Sequence, residues 1–213
     1  MAPTFGPGAN LAVKLALLAA AGCIVVLFFI GWIGPSTGWA TRVGFPIEQP
    51  VPFSHKHHVA GLGIDCRFCH ATVEVSATAG MPPTHTCMTC HSQLWTHADV
   101  LAPVRESLMA GKPLHWVRVN RLPDYVYFNH SIHIAKGIGC VTCHGRIDTM
   151  PLTAKAASLR MGWCVDCHRD PRPNLRPRQA IFDMGWRPPA DTPSGDALFK
   201  QYRLHSATEL TDC

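Results

Sequence analysis

Cys66-Arg67-Phe68-Cys69-His70, Cys87-Met88-Thr89-Cys90-His91, Cys140-Val141-Thr142-Cys143-His144 and Cys164-Val165-Asp166-Cys167-His168 decide the fold. Each reads C-x-x-C-H, the attachment signature of c-type haem. The chemistry explains the spacing: two thiols add across the two vinyl groups of one porphyrin, and the adjacent histidine reaches the iron. The four motifs fall within 103 residues and use eight of the ten cysteines. Two other chemistries use paired cysteines. A zinc ribbon sets C-x-x-C pairs about 15–20 residues apart, and Cys66 to Cys87 comes near that. Disulfides form in oxidising compartments. Neither explains why a histidine follows every pair. Four haem c groups are therefore expected, with Cys66, Cys69, Cys87, Cys90, Cys140, Cys143, Cys164 and Cys167 as attachment points. His70, His91, His144 and His168 are the expected proximal ligands.

The second ligands come from a repeat. Phe53-Ser54-His55-Lys56-His57-His58 precedes the first motif, and Phe128-Asn129-His130-Ser131-Ile132-His133 precedes the third. Both read F-x-H-x-x-H and lie 75 residues apart; Cys66 to Cys140 is 74 residues and Cys87 to Cys164 is 77. A near-constant offset of this kind indicates internal duplication. Each unit, about 53–95 and 128–170, then carries two motifs and two spare histidines. Positions i and i+3 lie side by side on a helical turn, so His55 and His58, and likewise His130 and His133, can each serve two irons. Four proximal and four distal histidines make every iron bis-histidine, six-coordinate and suited to electron transfer. The competing reading is that these are surface histidines.

Two cysteines stay outside the motifs. Cys23 lies in an apolar run and reads as a small helix residue, although Ala20-Ala21-Gly22-Cys23 also resembles a lipoprotein cleavage site. Cys213 follows His205 by eight residues, as Cys66 follows His58. It is either a terminal thiol without a role or the first cysteine of a fifth attachment motif; the second is our expectation, with a fifth haem bound at Cys213 and the native polypeptide continuing beyond it.

Leu15 to Ile33 is nineteen residues without a charge, enough at 1.5 Å per residue to cross about 30 Å of hydrocarbon. A signal-peptide apolar region is shorter, about 7–15 residues. The segment 1–34 is therefore expected to be a transmembrane anchor, 35–52 a Gly/Pro-containing linker, and 53–213 a multihaem domain ending in a Pro-rich tail from 170. Lys14 before the span places the N-terminus in the cytoplasm and the haem domain outside. Charged residues are only 15% of the chain and the net charge of +5 is not segregated, which excludes a nucleic-acid-binding surface. The fold expected is mostly α with little regular secondary structure, packed around porphyrin. A short helix is expected over Pro103 to Ala110, with Gly111 after its end, and extended segments over Val117 to Asn120 and Tyr125 to Phe128.

The stretches FSHKHHVAGLGIDCRFCH (53–70), MPPTHTCMTCH (81–91), RLPDYVYFNHSIH (121–133) and MGWCVDCHR (161–169) resemble the pentahaem cytochrome c subunit of bacterial alternative complex III, and the resemblance covers most of the chain. That resemblance implies an electron-transfer subunit of a quinol:electron-acceptor oxidoreductase in the bacterial inner membrane, not itself the quinol-oxidising site. It implies three kinds of partner: an iron–sulfur subunit of molybdopterin-oxidoreductase type, polytopic quinol-binding membrane subunits, and a monohaem cytochrome c. Four complete motifs stand here against five in that family. The alternative is a stand-alone tetrahaem quinol dehydrogenase that feeds periplasmic reductases.

Overall fold

The computed structural model describes Gly6 and residues 8–212; Cys213, the expected fifth attachment point, lies outside the described residues. The chain divides after Arg42 into two units. The first holds α1 (Ala9–Ile33) and the short α2 (Gly38–Thr41). Helix α1 has 25 residues, about 37 Å of rise. It begins six residues before the uncharged run, because Asn10 and Lys14 interrupt the apolar character without breaking helix geometry. It is the one described helix long and apolar enough to cross a membrane. None of its residues is buried within the protein, which suits a helix that faces lipid.

The second unit is a string of one- to three-turn helices joined by irregular chain: α3 (Cys66–Cys69), α4 (Thr84–His91), α5 (Ala102–Ala110), α6 (His130–Ala135), α7 (Cys140–His144), α8 (Met161–Arg169), α9 (Gly195–Gln201) and α10 (Ala207–Leu210). Every C-x-x-C pair lies on such a helix. Residues i and i+3 share a helix face, so each turn presents both thiols on one side. Helix starts are set by side chains: Asp65 accepts from Arg67 N–H, and Asn129 from Ser131 N–H, at 2.8 and 2.9 Å. Helix α5 has Pro103 in its first turn and ends on Gly111 with φ +62°, as the sequence signals predict.

No strand forms among the described residues, only isolated bridges. The extended segment expected at Val117 is instead held by a side chain. Gln49 donates to Val117 O at 2.8 Å and accepts from Val117 N–H at 2.9 Å, so the amide replaces a neighbouring strand. The segment at Tyr125 to Phe128 is likewise unpaired with a strand; Val126 and Phe128 bond back within a turn. The later part of the expected linker is pinned, with Val43 bridged to Lys155 and Pro46 to Ala154.

The protein core is small. Its two clusters are Val51, Leu101 and Val104, and Leu175, Leu198 and Tyr202. Ten apolar side chains are buried among the described residues. That little burial offsets only part of the entropy of ordering this much chain. The Pro-rich tail wraps the third motif: Arg176 N–H donates to Gly137 O at 2.8 Å, and Cys140 N–H to Ile181 O at 3.1 Å. Gly137 sits at the tightest point of that wrap. Its φ is +82°, and a Cβ there would lie 2.3 Å from the Tyr202 ring. Gly137→Ala combines backbone strain with overpacking and should cost about 2–4 kcal/mol. The denaturant midpoint of the holoprotein should fall while its haem content stays constant; an unchanged midpoint would show that the ring yields freely.

Candidate functional site

The histidines of the two F-x-H-x-x-H segments come together with those of the motifs, two by two. His58 and His91 have ring centroids 6.2 Å apart, His130 and His144 6.4 Å, and His133 and His168 6.2 Å. His55 is surrounded by imidazoles, of which His70 influences it most, ahead of His58 and His144. Each pairing joins one expected distal histidine to one expected proximal histidine. Two imidazoles that share one metal ion between them, with metal–nitrogen bonds of about 2.0–2.1 Å, have centroids about 6 Å apart. The three measured pairs fit that separation.

The Nδ1 atoms show which nitrogen is free. His58 donates to Ser54 O (2.9 Å), His70 to Gly80 O (2.8 Å), His91 to Leu94 O (3.1 Å), His130 to Ala77 O (2.9 Å), His133 to Asn129 O (2.7 Å) and His168 to Leu210 O (2.9 Å). A carbonyl oxygen only accepts, so these six rings carry their proton on Nδ1 and leave the Nε2 lone pair for a metal. The remaining two rings meet side chains instead: His55 Nδ1 lies 3.0 Å from Thr153 Oγ1, and His144 Nδ1 3.1 Å from the Asn120 amide nitrogen. Burial holds His55 and His144 down to about 4, helped at His55 by His70 and at His144 by His130. Burial also lowers His58 and His133. All four are neutral at neutral pH, the state in which imidazole binds a metal.

Gly80 shows why its carbonyl can reach His70. Its φ is +77°, and a Cβ would stand 2.7 Å from Thr72 Oγ1, so only glycine lets the chain pass there.

The two repeat segments have the same local geometry. Phe53 meets His55 edge-on at 4.9 Å and His58 face-on at 4.4 Å; Phe128 meets His130 edge-on at 4.7 Å and His133 face-on at 4.5 Å. Each segment is braced by the other half of the chain. Lys56 N–H donates to Met150 O at 3.0 Å, and Ser131 N–H to Ser76 O at 3.2 Å. The helical turns differ: Lys56–Gly61 is a π-helix, whereas α6 is α-helical.

None of the nine described cysteines is in a disulfide. Among the described residues no three His, Cys, Asp or Glu side chains gather into a metal-holding group. Burial raises Cys69, and Cys87 is the next cause; burial raises Cys140 to about 12, with Cys66 next; burial raises Cys143 to about 11, with Cys167 and Cys164 next. These interactions link Cys69 with Cys87, Cys140 with Cys66, and Cys143 with Cys167 and Cys164. His205, the residue paired in sequence with Cys213, is exposed beside Glu209 at 3.6 Å. The bracing carbonyls, Thr153 and Asn120 carry no sequence motif, and the sequence alone did not point to them.

Residues 38–105, which hold the first two motifs, match the Class III cytochrome C family. The chain is 36% identical over 124 residues to the menaquinone reductase, multiheme cytochrome c subunit, of Nitratidesulfovibrio vulgaris. The aligned part is 58% of this chain and 56% of that protein, so the chain spans somewhat more than half the length of the relative. Motifs and comparisons agree on a multihaem c-type cytochrome with an electron-transfer role. Thioether attachment makes a direct prediction. After unfolding and alkylation of the native protein, Cys23 should be labelled and the eight motif cysteines should not, with or without prior reduction or chelation. Labelling only after chelation would mean zinc, and only after reduction, disulfides.

Proposed function

We propose that this chain is a membrane-anchored electron relay in a quinone-linked oxidoreductase complex, in which four haems are each held between two histidines. The three ring pairs at 6.2–6.4 Å carry the reading. His70 with His55, His91 with His58, His144 with His130 and His168 with His133 are the axial pairs. Bound haem supplies a one-electron couple at each iron. The chain would attach each group through the two thiols of a motif and would hold each iron with two imidazoles, which suits electron transfer rather than substrate binding. Burial, axial ligands and hydrogen bonds to them set the potentials.

The matching Phe–His geometries and the reciprocal Lys56–Met150 and Ser131–Ser76 bonds support two duplicated dihaem units. The adjacency of the motifs supports a path in the order second, first, third, fourth, with the unit boundary at its middle. The 53–70 and 121–133 stretches support an alternative complex III type of assembly, oxidising quinol. Its partners would be the iron–sulfur, polytopic and monohaem subunits that go with that type. The named role of the Nitratidesulfovibrio relative supports the opposite direction, in which electrons reach a menaquinone from outside donors. In both, the haem domain faces the periplasm and the quinone site lies elsewhere: α1 has no Asp, Glu, Lys, Arg or His between Leu15 and Ile33, and intramembrane functional sites usually show one.

The oxidised protein should therefore show only low-spin electron paramagnetic resonance signals. A high-spin haem at full stoichiometry would overturn the bis-histidine assignment. His133→Ala should keep haem covalently bound, open one iron to cyanide or carbon monoxide, and shift one potential; spectra and titration identical to wild type would remove His133 from the ligands. The purified single chain should take electrons from a strong soluble reductant and fail to exchange them with a quinol analogue. Turnover with the quinol would favour the stand-alone dehydrogenase. In the intact complex, the direction that proceeds faster with menaquinone separates the two quinone readings.

A further inference from the structure

Asn120 lies in irregular chain between α5 and α6 and belongs to none of the motifs. Its amide nitrogen is 3.1 Å from His144 Nδ1. Its Oδ1 is buried and, among the described residues, is the side-chain polar atom left without a hydrogen-bond partner. Such an orphan demands an explanation. The two ends of a carboxamide are nearly isosteric, and a half-turn about the last side-chain bond exchanges them.

The other rings say which orientation is right once His144 holds a metal. Six of the eight donate Nδ1–H to a carbonyl oxygen. A ring bound through Nε2 has a proton on Nδ1 and needs an acceptor there. An amide nitrogen is no acceptor; an amide oxygen is. We propose that in the haem-loaded protein Asn120 presents Oδ1 to His144 Nδ1–H and is a positioning residue for the third motif's axial ligand. This rests on His144 being a ligand, as proposed above. The equivalent ring of the first unit, His70, donates to the main-chain carbonyl of Gly80. The duplicated units thus differ here in a partner that a single substitution can change. An acceptor at Nδ1 raises the basicity of the ligating nitrogen, which favours ferric iron and lowers the potential.

Two near-isosteric variants test this in opposite directions. Asn120→Asp offers an anionic acceptor and should lower the potential of one haem. Asn120→Leu offers none and should raise it. Each shift should be about tenfold in the reduction equilibrium, which for one electron is ~59 mV. Covalent haem content should stay at the wild-type value in both. Potentials are read by spectroelectrochemical titration, alongside the low-spin resonance of the altered haem. Shifts of the same sign, or no shift in either variant, overturn the role of Asn120. If Asn120→Leu does not accumulate, the sign found for Asn120→Asp decides alone. The wild-type spectrum separates the two levels of failure: high-spin signals there reject the ligand pairing itself, whereas low-spin haems with unmoved variants reject only Asn120.

Discussion

A histidine ring has two nitrogens, and a protein that uses one to bind a metal must hold the ring by the other. Six of the eight rings here are held by Nδ1–H donation to a main-chain carbonyl, at 2.7–3.1 Å. That one bond fixes the tautomer, the ring direction and the free nitrogen together. It also explains an otherwise loose architecture. The carbonyls of Ser54 and Asn129 lie one turn before the rings they hold, so a short helical turn is enough. Those of Ala77, Gly80 and Leu94 come from irregular chain, and that of Leu210 from the last residue of α10. Irregularity in this protein is the means of bringing carbonyls to imidazoles.

The small core follows from the same constraint. Short helices cannot bury long apolar stripes against each other, and the two small clusters at Val104 and Leu198 are the result. Burial then acts on the ligands rather than on aliphatic side chains. It keeps His55 and His144 at about 4 and lifts Cys140 to about 12. Neutral imidazoles are ready to bind metal at neutral pH, and protonated thiols are poor nucleophiles until they are drawn into attachment.

The chemistry was legible in the sequence because thioether attachment needs fixed residue types at fixed spacing. C-x-x-C-H and F-x-H-x-x-H both announce themselves, and their 75-residue offset shows in the near-identical placement of Phe53 and Phe128 over their histidines. The bracing was not legible. Any residue provides a carbonyl, so Ala77, Met150 and Leu210 look like filler until the chain is folded. Gln49 was equally silent: its amide holds Val117, in the segment expected to be extended. The Pro-rich tail read correctly as irregular. Its role around Cys140 depends on Gly137, whose need for φ +82° no local pattern reveals.

A relay built from two similar halves, as proposed above, carries a cost. Haems in matching environments have matching potentials, and such a chain has no built-in slope between its ends. The geometry repeated in both segments, Phe face-on over His and i−4 carbonyl to Nδ1, belongs to His58 and His133. The departures are confined to the two middle motifs. His55 meets a hydroxyl where His130 meets a carbonyl, and His144 meets an amide where His70 meets a carbonyl. Side-chain partners can change by one substitution without moving the backbone, whereas main-chain carbonyls cannot. In the proposed relay, His55 and His144 are therefore the positions at which mutation most easily separates the potentials of two similar halves.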